Sequence, residues 1–108
     1  MTRTAIALIL TLFFGAPARA DVTLPTIFGD HMVLQQRTTA RIWGWADVGQ
    51  RVRVSGSWDG AVVEVQADDR GRWSADLPTP AAGGPYEVTI AGRTTIVLRD
   101  VLIGEVWL

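Results

Sequence analysis

The sequence predicts an all-β protein, an antiparallel two-layer sandwich of short strands. Three observations carry that expectation. Apolar and polar residues alternate with period two in one segment after another. Turn residues interrupt those segments at roughly the 8–12-residue spacing of sandwich strands. No stretch of useful length shows a helical period, and there is no internal repeat.

The stretch from Ala40 to Trp58 holds the strongest signal. Ile42, Gly44 and Ala46 share one face of a strand, and Trp43 and Trp45 share the other. Asp47-Val48-Gly49-Gln50 is a turn by composition, with Asp to open it and Gly for a left-handed backbone angle. Val52 and Val54 then alternate with Arg51, Arg53 and Ser55. Two strands and four turn residues predict a hairpin whose apolar face other strands must cover, since a lone hairpin is marginal in water.

The first twenty residues stand outside that fold. Thr2-Arg3 is a short positive start, Ala5 to Phe14 is an apolar run, and Ala18-Arg19-Ala20 offers small residues at both recognition positions. This predicts a secretory signal, residues 1–20, cleaved after Ala20. The apolar run is too short for a membrane anchor, because a bilayer core needs about 20 apolar residues. The expected location is therefore the periplasm or the exterior, with no membrane anchor.

The chain has 108 residues, a formal charge of −1 and no cysteine. All ten basic residues are arginine, and losing Arg3 and Arg19 with the leader would make the chain more acidic still. Such a balance gives no electrostatic reason to bind nucleic acid or anionic lipid. Without disulfides, stability must come from packing, and the five tryptophans help because each can bury roughly 150–250 Å².

From Asp21 the chain reads Val22, Leu24, Pro25, Ile27-Phe28, then Gly29-Asp30 and Met32 to Gln35, two short strands around a tight turn with Pro25 at an edge. After the central stretch, Asp59-Gly60 turns into Ala61 to Ala67, where Val63 and Val65 alternate with Glu64 and Gln66. Asp68-Asp69-Arg70-Gly71 turns again, and Trp73, Ala75 and Leu77 alternate with Ser74 and Asp76. Pro78 to Pro85 is a loop long enough to cross between sheets. Tyr86, Val88 and Ile90 form one more strand, Ala91-Gly92 turns, and Thr95 to Leu98 forms another.

Two places invite a chemical reading. His31, the only histidine, sits beside Asp30, which could suggest a general base. No nearby Ser or Cys has the neighbours a nucleophile needs, so a turn histidine with a structural hydrogen bond is the preferred reading. Asp68-Asp69 could suggest calcium, but one acidic pair falls short of the six to eight oxygens calcium takes, and a solvated hairpin loop is preferred. No catalytic, cofactor-binding or metal-ligating residue is therefore assigned, and no cofactor is expected.

The glycines and aromatics at Gly44, Gly49, Gly71, Trp73, Gly84 and Tyr86 resemble the pattern of secreted bacterial immunoglobulin-like modules. That pattern speaks to fold and says nothing of chemistry. It predicts an immunoglobulin-like β-sandwich over residues 21–99.

Asp100 to Leu108 breaks the rule. Val101, Ile103, Glu105 and Trp107 would lie on one face and Leu102, Gly104, Val106 and Leu108 on the other, so both faces are mostly apolar. A strand apolar on both sides belongs in a parallel sheet covered by helices. Residues 100–108 are therefore expected to begin a second, α/β domain.

Five stretches together resemble the start of the sialate O-acetylesterase family of secreted carbohydrate esterases. They are Val22 through Gln36, Ile42 to Ala46, Gly71 to Trp73, Gly83 to Tyr86, and Asp100 to Leu108. They occur in the right order and span essentially the whole mature chain. The resemblance implies that residues 100–108 are the first strand of an SGNH-type hydrolase domain. In the family that strand runs into a Ser-Gly-Gln-Ser-Asn segment whose second serine attacks the ester. A downstream His acts as general base, and backbone and side-chain donors hold the oxyanion.

None of those catalytic residues maps onto this sequence, and His31 is not the family's catalytic histidine. The resemblance implies an amino-terminal, non-catalytic fragment that is inactive alone. Its parent would remove O-acetyl groups from sialic acid or related sugars, and the sandwich would contact the hydrolase domain. The alternative is a free-standing secreted module binding carbohydrate or protein through Trp43, Trp45 and Trp58.

Overall fold

The computed structural model describes residues 21–106. The leader expected at 1–20, and the terminal Trp107 and Leu108, lie outside the described residues. Seven strands follow in order: β1 (Val33–Gln35), β2 (Thr39–Trp45), β3 (Arg51–Gly56), β4 (Val62–Gln66), β5 (Arg72–Pro78), β6 (Gly83–Ala91) and β7 (Thr95–Gly104). They form a five-stranded sheet in the order β1-β7-β6-β3-β4 and a two-stranded sheet of β2 and β5. The run β7-β6-β3-β4 has the strand order of the GFC sheet extended by C′ in variable-type immunoglobulin folds, with β2 and β5 in the opposing layer. The fold is an all-β, immunoglobulin-like sandwich.

The alternation decides which residues meet between the layers. Ile42, Ala75 and Leu77 from the small sheet face Val52, Val54, Val88, Ile90 and Val101 from the large one, all almost wholly shielded from water. Every buried residue among the described ones is apolar or glycine. Trp73 lies in this interior and donates its indole N–H to the Trp45 carbonyl at 3.2 Å. Gly44 lies against its ring, and a Cβ there would also run into the Thr23 carbonyl oxygen.

The expected hairpin between β2 and β3 does not form. β2 pairs with β5 along its whole length, Thr39 opposite Pro78 through Trp45 opposite Arg72, while β3 pairs with β4 and β6. A hairpin would have left Ile42, Val52 and Val54 together on one uncovered face. Placing the two strands in opposite layers lets their apolar faces cover each other. Asp47 to Gln50 still turns, closed by Gln50 N–H to the Asp47 carbonyl at 3.0 Å, but it arches between sheets.

The Asp68–Gly71 turn likewise joins opposite layers, linking β4 to β5 instead of making the expected hairpin loop. Gly71 is required there. Its φ is +72°, and a Cβ would sit 2.5 Å from the Ala46 carbonyl oxygen. The two true hairpins are β3–β4 and β6–β7. In the first, Asp59 (φ 44°) and Gly60 (φ 60°) both adopt left-handed angles. That is the primed turn for which Asp-Gly is favoured, since its twist matches the strands.

The amino-terminal segment also departs from the expected strand pair. Thr23 makes an isolated bridge to Trp45, with backbone bonds of 2.9 and 3.0 Å. Only Val33–Gln35 forms a strand, and it runs parallel to β7, Val33 opposite Leu102 and Gln35 opposite Gly104. The otherwise antiparallel fold thus has one parallel pair. Parallel neighbours need a long crossover, and the rest of the domain lies between β1 and β7.

The segment from Asp100, expected to open a second domain, begins inside β7. This strand starts at Thr95, and its pairing with β6 shifts register between Leu98 and Val101, where Asp100 has φ +55°, so that Leu98, Val101 and Ile103 all point into the sandwich core. One of its two apolar faces is thereby accounted for. The other is not: Leu102 is 45% exposed and Val106 40% exposed, and Val33 beside Leu102 is 48% exposed.

Candidate functional site

The face of β2 that points away from the core carries Arg41, Trp43 and Trp45, and the outer face of β5 carries Arg72, Ser74 and Asp76. Cross-strand register sets Arg41 against Asp76, Trp43 against Ser74 and Trp45 against Arg72. All of these but Asp76, with Gly44 and Trp73 between them and Gln66 and Asp68 at one side, line a groove of about 670 Å³. The expectation that Trp43 and Trp45 share one face is met, and they remain 37% and 42% exposed.

The aromatic rings form a row. Trp45 stands edge-on to Trp43 with centroids 5.6 Å apart and planes at 77°. Phe28 also stands edge-on to Trp43, at 6.1 Å and 81°. Edge-to-face contacts of this kind hold rings in place without stacking their faces on each other.

Next along the same face from Trp43, Arg41 pairs with Asp76 at 3.3 Å. Asp68 Oδ1 accepts the backbone N–H groups of Arg70 (2.8 Å) and Arg72 (2.9 Å). Those bonds, that from Arg72 the stronger influence, hold its carboxyl below the usual aspartate range, and the positive charges of Arg72 and Arg70 add to the effect. Asp68 therefore organises the turn between the sheets. The groups of three or more His, Cys, Asp or Glu that a metal site needs do not occur among the described residues.

Trp58, considered with Trp43 and Trp45 as an exposed stacking surface, is instead part of the core. It is 6% exposed, donates its indole N–H to the Pro78 carbonyl at 2.9 Å, and meets the Tyr86 ring edge-on at 5.3 Å. The alternation in β3 ends at Gly56, so its spacing said nothing about the turn residue Trp58. A position beside the Asp-Gly turn folds the indole back over Gly56.

His31 makes the structural contact expected of it. Its Nδ1 lies 2.6 Å from Asp100 Oδ2, both side chains being well exposed. The clasp continues through His31 N–H to the Arg99 carbonyl (3.0 Å) and Arg99 N–H to Asp30 Oδ1 (2.8 Å). None of the three serines, Ser55, Ser57 and Ser74, hydrogen-bonds the imidazole among the described residues. The geometry ties the turn at 29–31 to β7 and assembles no nucleophile.

A second network, which sequence reasoning missed, holds the end of β7. Gln35 donates Nε2 to Glu105 Oε2 at 3.1 Å and accepts the Val106 N–H on Oε1 at 2.8 Å. Gln36 donates to Glu105 Oε1, and its Oε1 accepts the Ala82 N–H at 2.9 Å. Hydrogen bonds from Gln36 and then Gln35 lower the Glu105 pKa below the usual glutamate range. The adjacent amides Gln35-Gln36 were the only hint, and nothing in sequence spacing linked them to a residue about seventy positions away.

A solved structure now supplies a relative for this arrangement. A carbohydrate acetylesterase from Xanthomonas citri superposes with a TM-score of 0.75 and 40% sequence identity over 81% of this chain. The likeness is to a carbohydrate esterase. The chain spans about 20% of that enzyme's length. No protein-family model and no curated protein matches the chain. The comparison supports the carbohydrate-esterase part of the family resemblance and is silent on sialate.

Proposed function

We propose that this chain is the amino-terminal, non-catalytic sandwich of a periplasmic or secreted sialate O-acetylesterase-like enzyme. The full protein would hydrolyse O-acetyl esters on sialic acid or a related sugar. The ester-cleaving serine and its histidine would lie in a hydrolase domain that follows β7. What supports this reading, beside the 40% identity to an acetylesterase of which the chain spans only 20%, is the apolar strip Val33, Leu102 and Val106. It lies on the outer face of the sheet where β7 ends, and the Gln35–Gln36–Glu105 network fixes the path of the chain beside it. A domain continuing from β7 would seat on that strip.

The test has two arms. The genomic frame beyond the Leu108 codon is read for a Ser-Gly-Gln-Ser-Asn segment, which is expected; an immediate stop codon with no such coding overturns the reading. The chain alone is assayed on a chromogenic acetate and on O-acetylated sialosides. No turnover above background is expected, and hydrolysis blocked by an active-serine reagent would contradict a non-catalytic role.

A further inference from the structure

We infer that the outer face of the β2–β5 sheet is a binding site for a neutral saccharide, seated against Trp43 and Trp45 and hydrogen-bonded from the β5 side. This rests on the groove itself and does not require the esterase reading. Its volume of about 670 Å³ lies within the roughly 300–1,000 Å³ typical of small-ligand sites.

The two walls differ in chemistry as a pyranose does. One face of such a ring is a patch of C–H groups, which an aromatic surface covers well, while its rim carries hydroxyls that need hydrogen-bond partners. Trp43 and Trp45, their planes 77° apart, form an apolar corner. Facing them, Ser74 and the Arg72 side chain make no hydrogen bond or ion pair among the described residues. Asp68 uses Oδ1 for the backbone and Gln66 uses Nε2 for the Gly49 carbonyl, which leaves Oδ2 and Oε1 as acceptors at the groove. Donors and acceptors are both present, as hydroxyls require.

Charge selects the neutral class. Arg41 is paired with Asp76, and the charge of Arg72, though in no ion pair, is offset by the nearby Asp68 carboxyl. The groove therefore has no surplus charge to attract a sugar acid. Its position leaves it accessible as well. The strip at Val33 and Leu102 lies on the other sheet, and the two outer faces of a sandwich point away from each other. A domain seated on that strip leaves the β2–β5 face open.

The test is a titration of the full chain with xylohexaose, cellohexaose and mannohexaose, followed by the tryptophan indole N–H resonances. One of these neutral probes is expected to move the Trp43 and Trp45 signals saturably while that of Trp58, which is buried away from the groove, stays fixed. Trp45→Ala and Arg72→Ala should each weaken binding about tenfold or more, and Val62→Ala, on the other sheet, should leave it unchanged. The amide spectrum reports whether each variant is folded; if Trp45→Ala is not, Arg72→Ala on the neighbouring strand decides. The inference is overturned if no neutral probe gives a saturable shift, if binding survives loss of the groove residue, or if only sialic or uronic acids bind. An isolated chain that binds neutral sugar but whose gene lacks a downstream hydrolase would uphold this site and reject the esterase reading.

Discussion

Gln35 grips Glu105 and its successor with both ends of one amide, donating to Glu105 Oε2 at 3.1 Å and accepting from the Val106 N–H at 2.8 Å. Gln36 takes the other carboxylate oxygen. The end of β7 is thus set by side chains of β1 and its next residue, beyond the last rung of their parallel pairing.

This carboxylate should make the strand end pH-sensitive. The folded pKa of Glu105 is lowered, so its contribution is present above the ordinary glutamate value and is lost as pH falls through the lower, folded value. The Val106 amide resonance should follow that titration. In Glu105→Gln the acid-side change in the Val106 shift should disappear. A Val106 titration midpoint at or above the ordinary glutamate value would contradict the network.

Gly71 tests the crossing between layers. With φ at +72° and the Ala46 carbonyl oxygen 2.5 Å from the site of a Cβ, Gly71→Ala should cost about 1–3 kcal/mol in urea unfolding. A change below about 0.5 kcal/mol would mean that the arch does not need this approach.

The tryptophans should separate by layer. Trp73→Ala, which empties the interior, should cost about 3–5 kcal/mol. Trp58→Phe removes the indole N–H bond to the Pro78 carbonyl and leaves a smaller ring in the core, for a loss of about 1–3 kcal/mol. Trp43→Ala, on the outer face, should cost about 1 kcal/mol or less. Chemical denaturation of the three variants gives the ranking, and a Trp43 effect equal to that of Trp73 would refute the assignment of faces.

The exposed strip should govern self-association of the isolated chain. Leu102→Arg puts a charge where Leu102 is 45% exposed and should reduce association in sedimentation velocity with little change in unfolding free energy. Loss of the fold in that variant would show Leu102 to be a core residue.

Legibility of the fold followed the physics of each signal. Residues 72–77 were readable at every position, because Trp73, Ala75 and Leu77 bury one face while Arg72, Ser74 and Asp76 keep the other wet. Trp43 and Trp45 were placed on the outer face for the same reason. The groove they line was not legible, because Arg72 and Ser74 reach them through a pairing of strands that are distant in sequence.

What the sequence determined by itself was the central strands, from β2 to β6, and the face each turns inward, since period-two alternation is a local consequence of the pleat. What only the tertiary structure decided was partnership. A strand with one apolar face satisfies it equally beside its sequence neighbour or across a sandwich from it, so alternation alone could not place β2 and β3 in opposite layers. The same holds for β7: two apolar faces revealed that it needs cover on both sides, while the fold decided that its own core covers Val101 and Ile103 and leaves Leu102 outside.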